Sequence, residues 1–266
     1  MDLLLTKILF TVLISILGTG IGSFVSMLIY RIHNKKSIFG RSVCEKCNKE
    51  LSAIELIPIF SWLFLRGKCK KCHKKIDKYI PLIEITTAIF FAVSFWFWPW
   101  GDGVYYLEII KFALWLLILA GLTALLFFDL RYKKLPNKIL FPTMAISAIF
   151  FVITSIIIEQ NGYSNSLIQL LLAMIPIAGV YGLIFLLSKG KLIGFGDVKL
   201  GIVIGFLLTW QATVAVLFLA NILAFLILLP LLLLGIIKSD KQIPFGQYLI
   251  IATIIVFFLT KIITVF

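Results

Sequence analysis

Charge is scarce in this sequence. Only 14% of its 266 residues are Asp, Glu, Lys or Arg against 61% hydrophobic, and the mean hydropathy of +1.10 excludes an ordinary soluble globular domain. Also missing are short segments of alternating polar and apolar residues, so a spanning β-barrel is excluded and helices must do the crossing. No internal repeat and no low-complexity linker divides the chain. The first apolar run, about 8–29, lacks a small-residue cleavage site, follows Asp2 and is too long for the apolar core of a signal peptide. It is expected to stay as a first membrane span.

What the chain has instead is apolar runs. About 20 helical residues cross roughly 30 Å of hydrocarbon. The runs predict an all-α, polytopic membrane helix bundle with about eight transmembrane helices, near 8–30, 80–98, 105–128, 139–158, 166–187, 198–210, 213–236 and 246–265. The sixth is too short for a full crossing and is expected to be sheltered by protein, with Gly201 and Gly205 on nearly one side of it for close helix packing. Trp96, Trp98, Trp100, Tyr105 and Tyr106 surround the turn Pro99-Trp100-Gly101-Asp102-Gly103, as an aromatic belt does. A second short polar turn is Gln160-Asn161-Gly162-Tyr163-Ser164.

The formal net charge is +13. Of 25 Lys and Arg, 13 lie between Arg31 and Lys78, and nine flank later spans at Arg131 to Lys138, Lys189 to Lys199 and Lys238 to Lys241. Only Lys7, Lys111 and Lys261 fall at the other face. The positive-inside rule then places the large loop and three smaller basic loops in the cytoplasm, with both termini outside. Attraction to anionic membrane lipids accounts for the charge, and no nucleic-acid partner is expected.

All four cysteines lie in the large loop, as Cys44-Glu45-Lys46-Cys47 and Cys69-Lys70-Lys71-Cys72. On the reducing side of a membrane, two such knuckles fit a structural zinc ion closed by four thiolates better than disulfides. Lys46, Lys49, Lys68, Lys70, Lys71 and Lys74 offset the negative charge of that centre, and His73 reads as a solvated neighbour. Between the knuckles, residues 51–67 are too apolar for a free linker, while Pro58 and flanking charges argue against a full span. An interfacial segment lying on the bilayer is expected.

Two acids stand at the ends of apolar runs. Asp129 closes Leu126-Phe127-Phe128-Asp129-Leu130-Arg131, and Asp197 sits in Gly194-Phe195-Gly196-Asp197-Val198-Lys199, before a helix beginning near Val198. An ionisable side chain at a membrane edge calls for a reason. The predicted topology puts both on one side, where two carboxylates about 3 Å apart share a proton and activate a water. The helix ends assign Asp197 as base and Asp129 as acid, with Arg131 and Lys199 as cations able to shift that balance.

In their order, these residues resemble the type IV prepilin peptidases, also called leader peptidase and N-methyltransferase. The resemblance rests on Gly22-Ser23-Phe24 with Tyr30-Arg31, the two cysteine knuckles, Leu56-Ile57-Pro58, Arg66-Gly67-Lys68-Cys69, and Tyr79-Ile80-Pro81 with Glu84. It continues through Asp129 with Leu135-Pro136-Asn137, the Gly194 to Lys199 run, and Pro244-Phe245-Gly246, and so covers nearly the whole chain. It implies an aspartic endopeptidase of the bacterial cytoplasmic membrane that uses Asp129 and Asp197 to remove short basic leaders from prepilins and pseudopilins. It further implies methylation of the new amino terminus with S-adenosylmethionine by an amino-terminal region, residues 1–100, beside a six-helix peptidase domain, residues 101–266. Ser26 replaces the family's usual Asn, Glu45 its usual Pro in the first knuckle, and Gln247 its usual Pro in the last motif. Two other readings stand beside this one: an intramembrane protease of the presenilin or signal-peptide-peptidase kind, and a non-catalytic membrane scaffold or transporter with a zinc loop.

Overall fold

The computed structural model describes residues 3–98, 100, 105–160, 166–235 and 245–263. Residues 99, 101–104, 161–165 and 236–244, with the expected turns, Lys238, Lys241 and Pro244, lie outside the described residues. Among those described every regular element is helical, apart from two isolated antiparallel bridges. The chain forms two compact units, Met1–Trp98 and Pro99–Phe266.

The first unit holds α1 (Leu3–His33), α2 (Phe60–Phe64) and α3 (Tyr79–Trp96). Helices α1 and α3 pack backbone to backbone because glycines leave room for it. A Cβ on Gly18 would lie 2.8 Å from Ala88 Cα, and one on Gly22 would lie 2.7 Å from Glu84 Cα. This close approach of helices through small residues is common in membranes. At the end of α1 the buried Arg31 donates to the carbonyls of Ile38, Gly40 and Arg41, folding the chain back over the helix terminus.

The expected interfacial segment is not one continuous helix. It consists of a 3-10 turn at Ile54–Leu56, a tight turn at Pro58-Ile59-Phe60 and the single-turn α2. The turn is closed by a 2.6 Å bond from Phe60 N–H to the Pro58 carbonyl, with Ile59 at φ 62° and ψ −54°. A β-branched residue with positive φ is a strained exception. Ile54, Phe60, Leu63 and Phe64 remain exposed, an outward apolar face of the kind that suits a lipid surface.

The second unit is built around α4 (Tyr105–Tyr132), whose Trp115, Ile118, Leu119, Leu122 and Leu125 are fully buried. Trp115 stacks on Phe257 of α10 (Gly246–Ile263) with ring centroids 3.6 Å apart. Around α4 lie α5 (Asn137–Gln160), α6 (Ser166–Met174) continuing through a π-turn into α7 (Val180–Ser188), α8 (Phe195–Leu207) and α9 (Trp210–Leu233). Across the described residues six helices are long and apolar enough to cross a membrane: α1, α3, α4, α5, α6 with α7, and α9. The other two expected spans are shorter. Helix α10 offers the apolar stretch Gly246–Thr260, and α8 has 13 residues, about 20 Å of helix.

Helix α8 is sheltered, as its length requires. Leu200, Val203 and Ile204 are fully buried. A Cβ on Gly201 would come 2.7 Å from Ala178 N, and one on Gly205 would come 2.7 Å from Met174 Cγ. The partner backbone bulges there, at the π-turn Ile175–Gly179, where Pro176 supplies no N–H. The two glycines thus seat α8 against the distorted turn.

Candidate active site and cysteine cluster

Three helix ends of the second unit meet at the two acids. Helix α4 runs one turn past Asp129, whose carbonyl accepts the Lys133 N–H at 2.8 Å before Lys133 turns left-handed at φ 54°. Asp129 therefore lies within the last turn, rather than ending the helix, and is 3% exposed. Helix α8 starts at Phe195, three residues earlier than expected, with Gly194 as its extended N-cap. Asp197 accordingly sits inside the first turn and is 9% exposed.

The third end is that of α10, which the sequence reading quoted as part of a motif without giving it a role. A Cβ on Gly246 would lie 3.1 Å from Asp129 Oδ2 and 3.3 Å from Asp197 Oδ1. Lying 3.1 and 3.3 Å from one point, the two oxygens are no more than about 6.4 Å apart, a gap that one water can bridge. The Gln247 N–H donates to Asp129 Oδ2 at 3.0 Å, so the free amides of the α10 terminus serve Asp129. Leu135 packs under both glycines: a Cβ on Gly196 would meet Leu135 Cβ at 3.1 Å, and one on Gly246 would meet its Cδ1 at 3.2 Å. Beside the site, Tyr181 is buried with its ring edge-on to Phe245, centroids 5.6 Å apart.

Two nearby cations have partners of their own, while the charge of Lys133 acts on Asp129. Lys199 Nζ donates to Asn137 Oδ1 at 3.0 Å and lies over the rings of Phe195 and Phe141 at 4.9 and 5.0 Å. Arg131 lies over the Tyr132 ring at 5.2 Å. Among the described residues neither acid forms a salt bridge. The helix-end argument also loses its asymmetry. Asp197 lies at the start of α8, but Asp129, at the end of α4, also receives an amide from the start of α10. Both carboxylates face a positive helix end, so helix dipoles do not assign the base and the acid.

In the first unit the four cysteine Sγ atoms lie within 4.8 Å of one another, and Cys44 and Cys72 are 4.0 Å apart. They form no disulfide and could hold a metal ion. The two knuckles share one design. Val43 bridges to Glu50 and Lys68 to Lys75, and the residue after each second cysteine, Asn48 or His73, is left-handed at φ 53°. The N–H groups of Cys44 and Cys69 bond to Lys49 and Lys74 carbonyls, while those of Asn48 and His73 bond back to the first cysteine of each pair. The side chains repeat as well, Cys-x-Lys-Cys-x-Lys in both, with Asn48 replaced by His73 at the turn. His73 contributes the turn and is exposed, outside the cluster. Backbone amides of Cys72 and Lys71 hold the Cys69 thiol down at about 6, whereas, against the pull of the Lys49 amide, burial and the other three thiols push Cys47 up to about 11.

Glu84 of α3 reaches the loop. Its Oε2 accepts the N–H of the strained Ile59 at 2.7 Å, joining two of the sequence's separate motifs. Glu55 is satisfied within the loop by Lys49 Nζ at 2.9 Å and by Ser52. The Ser52 amide and the Lys49 ammonium hold its carboxyl down at about 2.

Comparisons with known proteins divide the chain in the same order. Residues 16–98 match the Bacterial Peptidase A24 N-terminal domain, and residues 116–229 match the Type IV leader peptidase family. The chain is 32% identical over 214 residues to a prepilin leader peptidase/N-methyltransferase of Aeromonas hydrophila, covering 80% of this chain and 69% of that protein. A protein of the same description from Vibrio cholerae is 28% identical, with 94% of this chain and 96% of the other covered. One from Dichelobacter nodosus is 27% identical over 87% of this chain and 85% of its own length. No solved structure gives a significant match.

Proposed function

This chain belongs to the type IV leader peptidase family, and on that premise we propose that Asp129 and Asp197 are the catalytic pair of its prepilin-cleaving activity. It is a multi-pass membrane protease whose relatives are named for both leader cleavage and N-methylation. The presenilin-like and the scaffold or transporter readings are not favoured.

The observation that carries the catalytic assignment is the closeness of the two acids, an oxygen of each lying within 3.3 Å of the point that a Gly246 Cβ would take. Two carboxylates sharing one proton there polarise a water for attack on the scissile carbonyl, then deliver a proton to the leaving amine. Because the two groups titrate as a unit, the roles belong to the pair. Gly246 keeps the backbone of α10 close to both acids, and Lys199 stays with Asn137.

The substrate of this reading is a prepilin or pseudopilin whose apolar helix lies in the bilayer and whose basic leader is cut at the cytoplasmic face. The inner membrane of a bacterium, with the basic loops inside, is the matching location. The four thiolates suit a structural zinc: sulfurs about 2.3 Å from the ion would stand ~3.8 Å apart, near the 4.0 Å of Cys44 and Cys72. With four protein ligands that metal fixes the loop and leaves no open position for catalysis. S-adenosylmethionine, when bound, supplies an electrophilic methyl group to the new amine.

The test is incubation of the purified chain in detergent with a prepilin, the products being read by mass spectrometry for cut position and added methyl. Asp129→Asn and Asp197→Asn are each expected to abolish the cut. Cleavage within about tenfold of wild type in both variants would end the proposal of a dyad.

A further inference from the structure

A cavity of about 380 Å³ opens in the first unit, bordered by the end of α1, the first knuckle, α2 and the start of α3. That volume suits a small organic ligand. Ser23, Tyr30, Trp62, Ile80 and Glu84 are among the residues on its wall.

Several polar groups around it have partners within the protein. Arg31 donates to backbone carbonyls, Glu55 accepts from Lys49 and Ser52, and the Ser26 hydroxyl donates to the Ser23 carbonyl at 2.8 Å. Two buried groups on the wall stand apart. Glu84 is 3% exposed and accepts the Ile59 amide and a Ser23 hydroxyl bond, yet no cation among the described residues pairs with it. Trp62 Nε1 is buried and has no hydrogen-bond acceptor among the described residues. A buried anion without a counter-charge and a buried donor without an acceptor each cost free energy, and a native structure that keeps both on one cavity wall has a use for them. The strained turn at Ile59 lies three residues before Trp62 and is held by Glu84, so the two groups share one rigid support.

The matching ligand must bring positive charge to Glu84 and an acceptor to the indole N–H. S-adenosylmethionine meets both requirements, with a sulfonium and an ammonium on one part and a carboxylate and purine nitrogens as acceptors. We propose that this cavity is the S-adenosylmethionine site, with the cationic part of the methyl donor against Glu84 and one of its acceptors on Trp62 Nε1. The assignment rests on the N-methyltransferase reading above and adds the residues that hold the donor.

Isothermal titration calorimetry of the full chain in detergent with S-adenosylmethionine tests it without turnover. Wild type should bind saturably and with quenching of indole fluorescence. Glu84→Gln, which still accepts the Ile59 amide but carries no charge, and Trp62→Phe, which keeps a ring but loses the donor, should each weaken binding by about tenfold or more. Glu50→Gln, altered on the same loop in an exposed pair with Arg41 and off the cavity wall, should bind as wild type does. Melting curves and metal content report whether each variant is folded, and Trp62→Phe decides the matter if Glu84→Gln is not. Unchanged affinity in both variants overturns the site, and so does a Glu84→Gln protein that binds the donor normally but no longer methylates, because the carboxylate then serves the acceptor amine. If wild-type protein methylates a cleaved prepilin while both variants bind normally, the site assignment alone fails. If it neither binds the donor nor methylates, the methyltransferase reading fails with it.

Discussion

Among the described residues both units bury carboxylates that form no salt bridge, but they do so in different numbers. The first keeps one, Glu84, on a cavity wall beside an unsatisfied indole N–H. The second brings two, Asp129 and Asp197, to either side of the space at Gly246. A lone buried carboxylate attracts a cation, whereas a pair too close for two negative charges retains a proton and can exchange it with a water. The units also divert their bases differently: Arg31 is tied up by carbonyls and Lys49 by Glu55, while Lys199 goes to Asn137 and two aromatic rings. The contrast is one between binding a charged ligand and moving a proton.

The strongest way to break that contrast is to remove one charge from the pair. Asp129→Asn or Asp197→Asn should lower prepilin cleavage by about 10²-fold to 10⁴-fold, the usual range for loss of an acid or base. Affinity for S-adenosylmethionine, measured on the same samples, should stay at the wild-type value. Loss of both from either substitution would mean that the units do not work separately. Metal removal is the converse experiment. Stripping any metal held by the four cysteines with a chelator, or Cys69→Ser, should remove most donor binding because Cys44 and Cys69 help line the cavity, and should reduce cleavage far less.

Adding one methyl group sharpens the comparison within the second unit. Gly246→Ala puts a carbon 3.1 to 3.3 Å from both carboxylates and Leu135, tighter than ordinary contact but close enough to be absorbed by small shifts. Cleavage should fall about 10-fold to 100-fold with little change in melting temperature, since the methyl narrows the space between the acids rather than filling core volume. Wild-type rates from this variant would show that nothing essential enters there.

This is also where the sequence stops being legible. The cysteine pairs and the two acids declare themselves locally, by the spacing of Cys44 to Cys47 and Cys69 to Cys72 and by carboxylates at the edges of apolar runs. The shelter of α8 was legible too, because a 13-residue helix with Gly201 and Gly205 has few other options. Gly246 was not, since its role depends on α4, α8 and α10 meeting, and nothing near it in the chain names Asp129 as its neighbour. Ile59 was not, because positive φ at a β-branched residue runs against its own preference and is imposed by Glu84, 25 positions away. The left-handed turns of the knuckles are not legible from side-chain type, since Asn48 favours that conformation and His73 at the matching place has a different side chain.

A gentler test of the first unit uses pH. Glu55 has a folded pKa of about 2, below its ordinary value, so its contribution to loop stability is fully present above about pH 4.5 and is lost as pH falls through 2. Protection of the Ser52 amide against hydrogen exchange, which depends on Glu55 Oε2 at 2.9 Å, should be greater in wild type than in Glu55→Gln at pH 6. The difference should shrink as pH approaches 2. A constant difference across that range would show that the carboxylate charge is not what holds the loop.

The smallest effect is expected at Gln247, where this chain departs from the proline that the resemblance implies. Its N–H reaches Asp129 Oδ2 at 3.0 Å, and a proline there would have no hydrogen to donate. Gln247→Pro therefore removes one bond to an acid of the pair while respecting the helix, because the second position of α10 has no intrahelical acceptor to lose. Cleavage should change by less than about tenfold, far less than for Gly246→Ala, since the carboxylates and the space between them are untouched. The size of that change measures how much the start of α10 steadies Asp129 through its backbone. A loss as large as that of Asp129→Asn would make the Gln247 amide, rather than the open space at Gly246, the main contribution of α10 to the site.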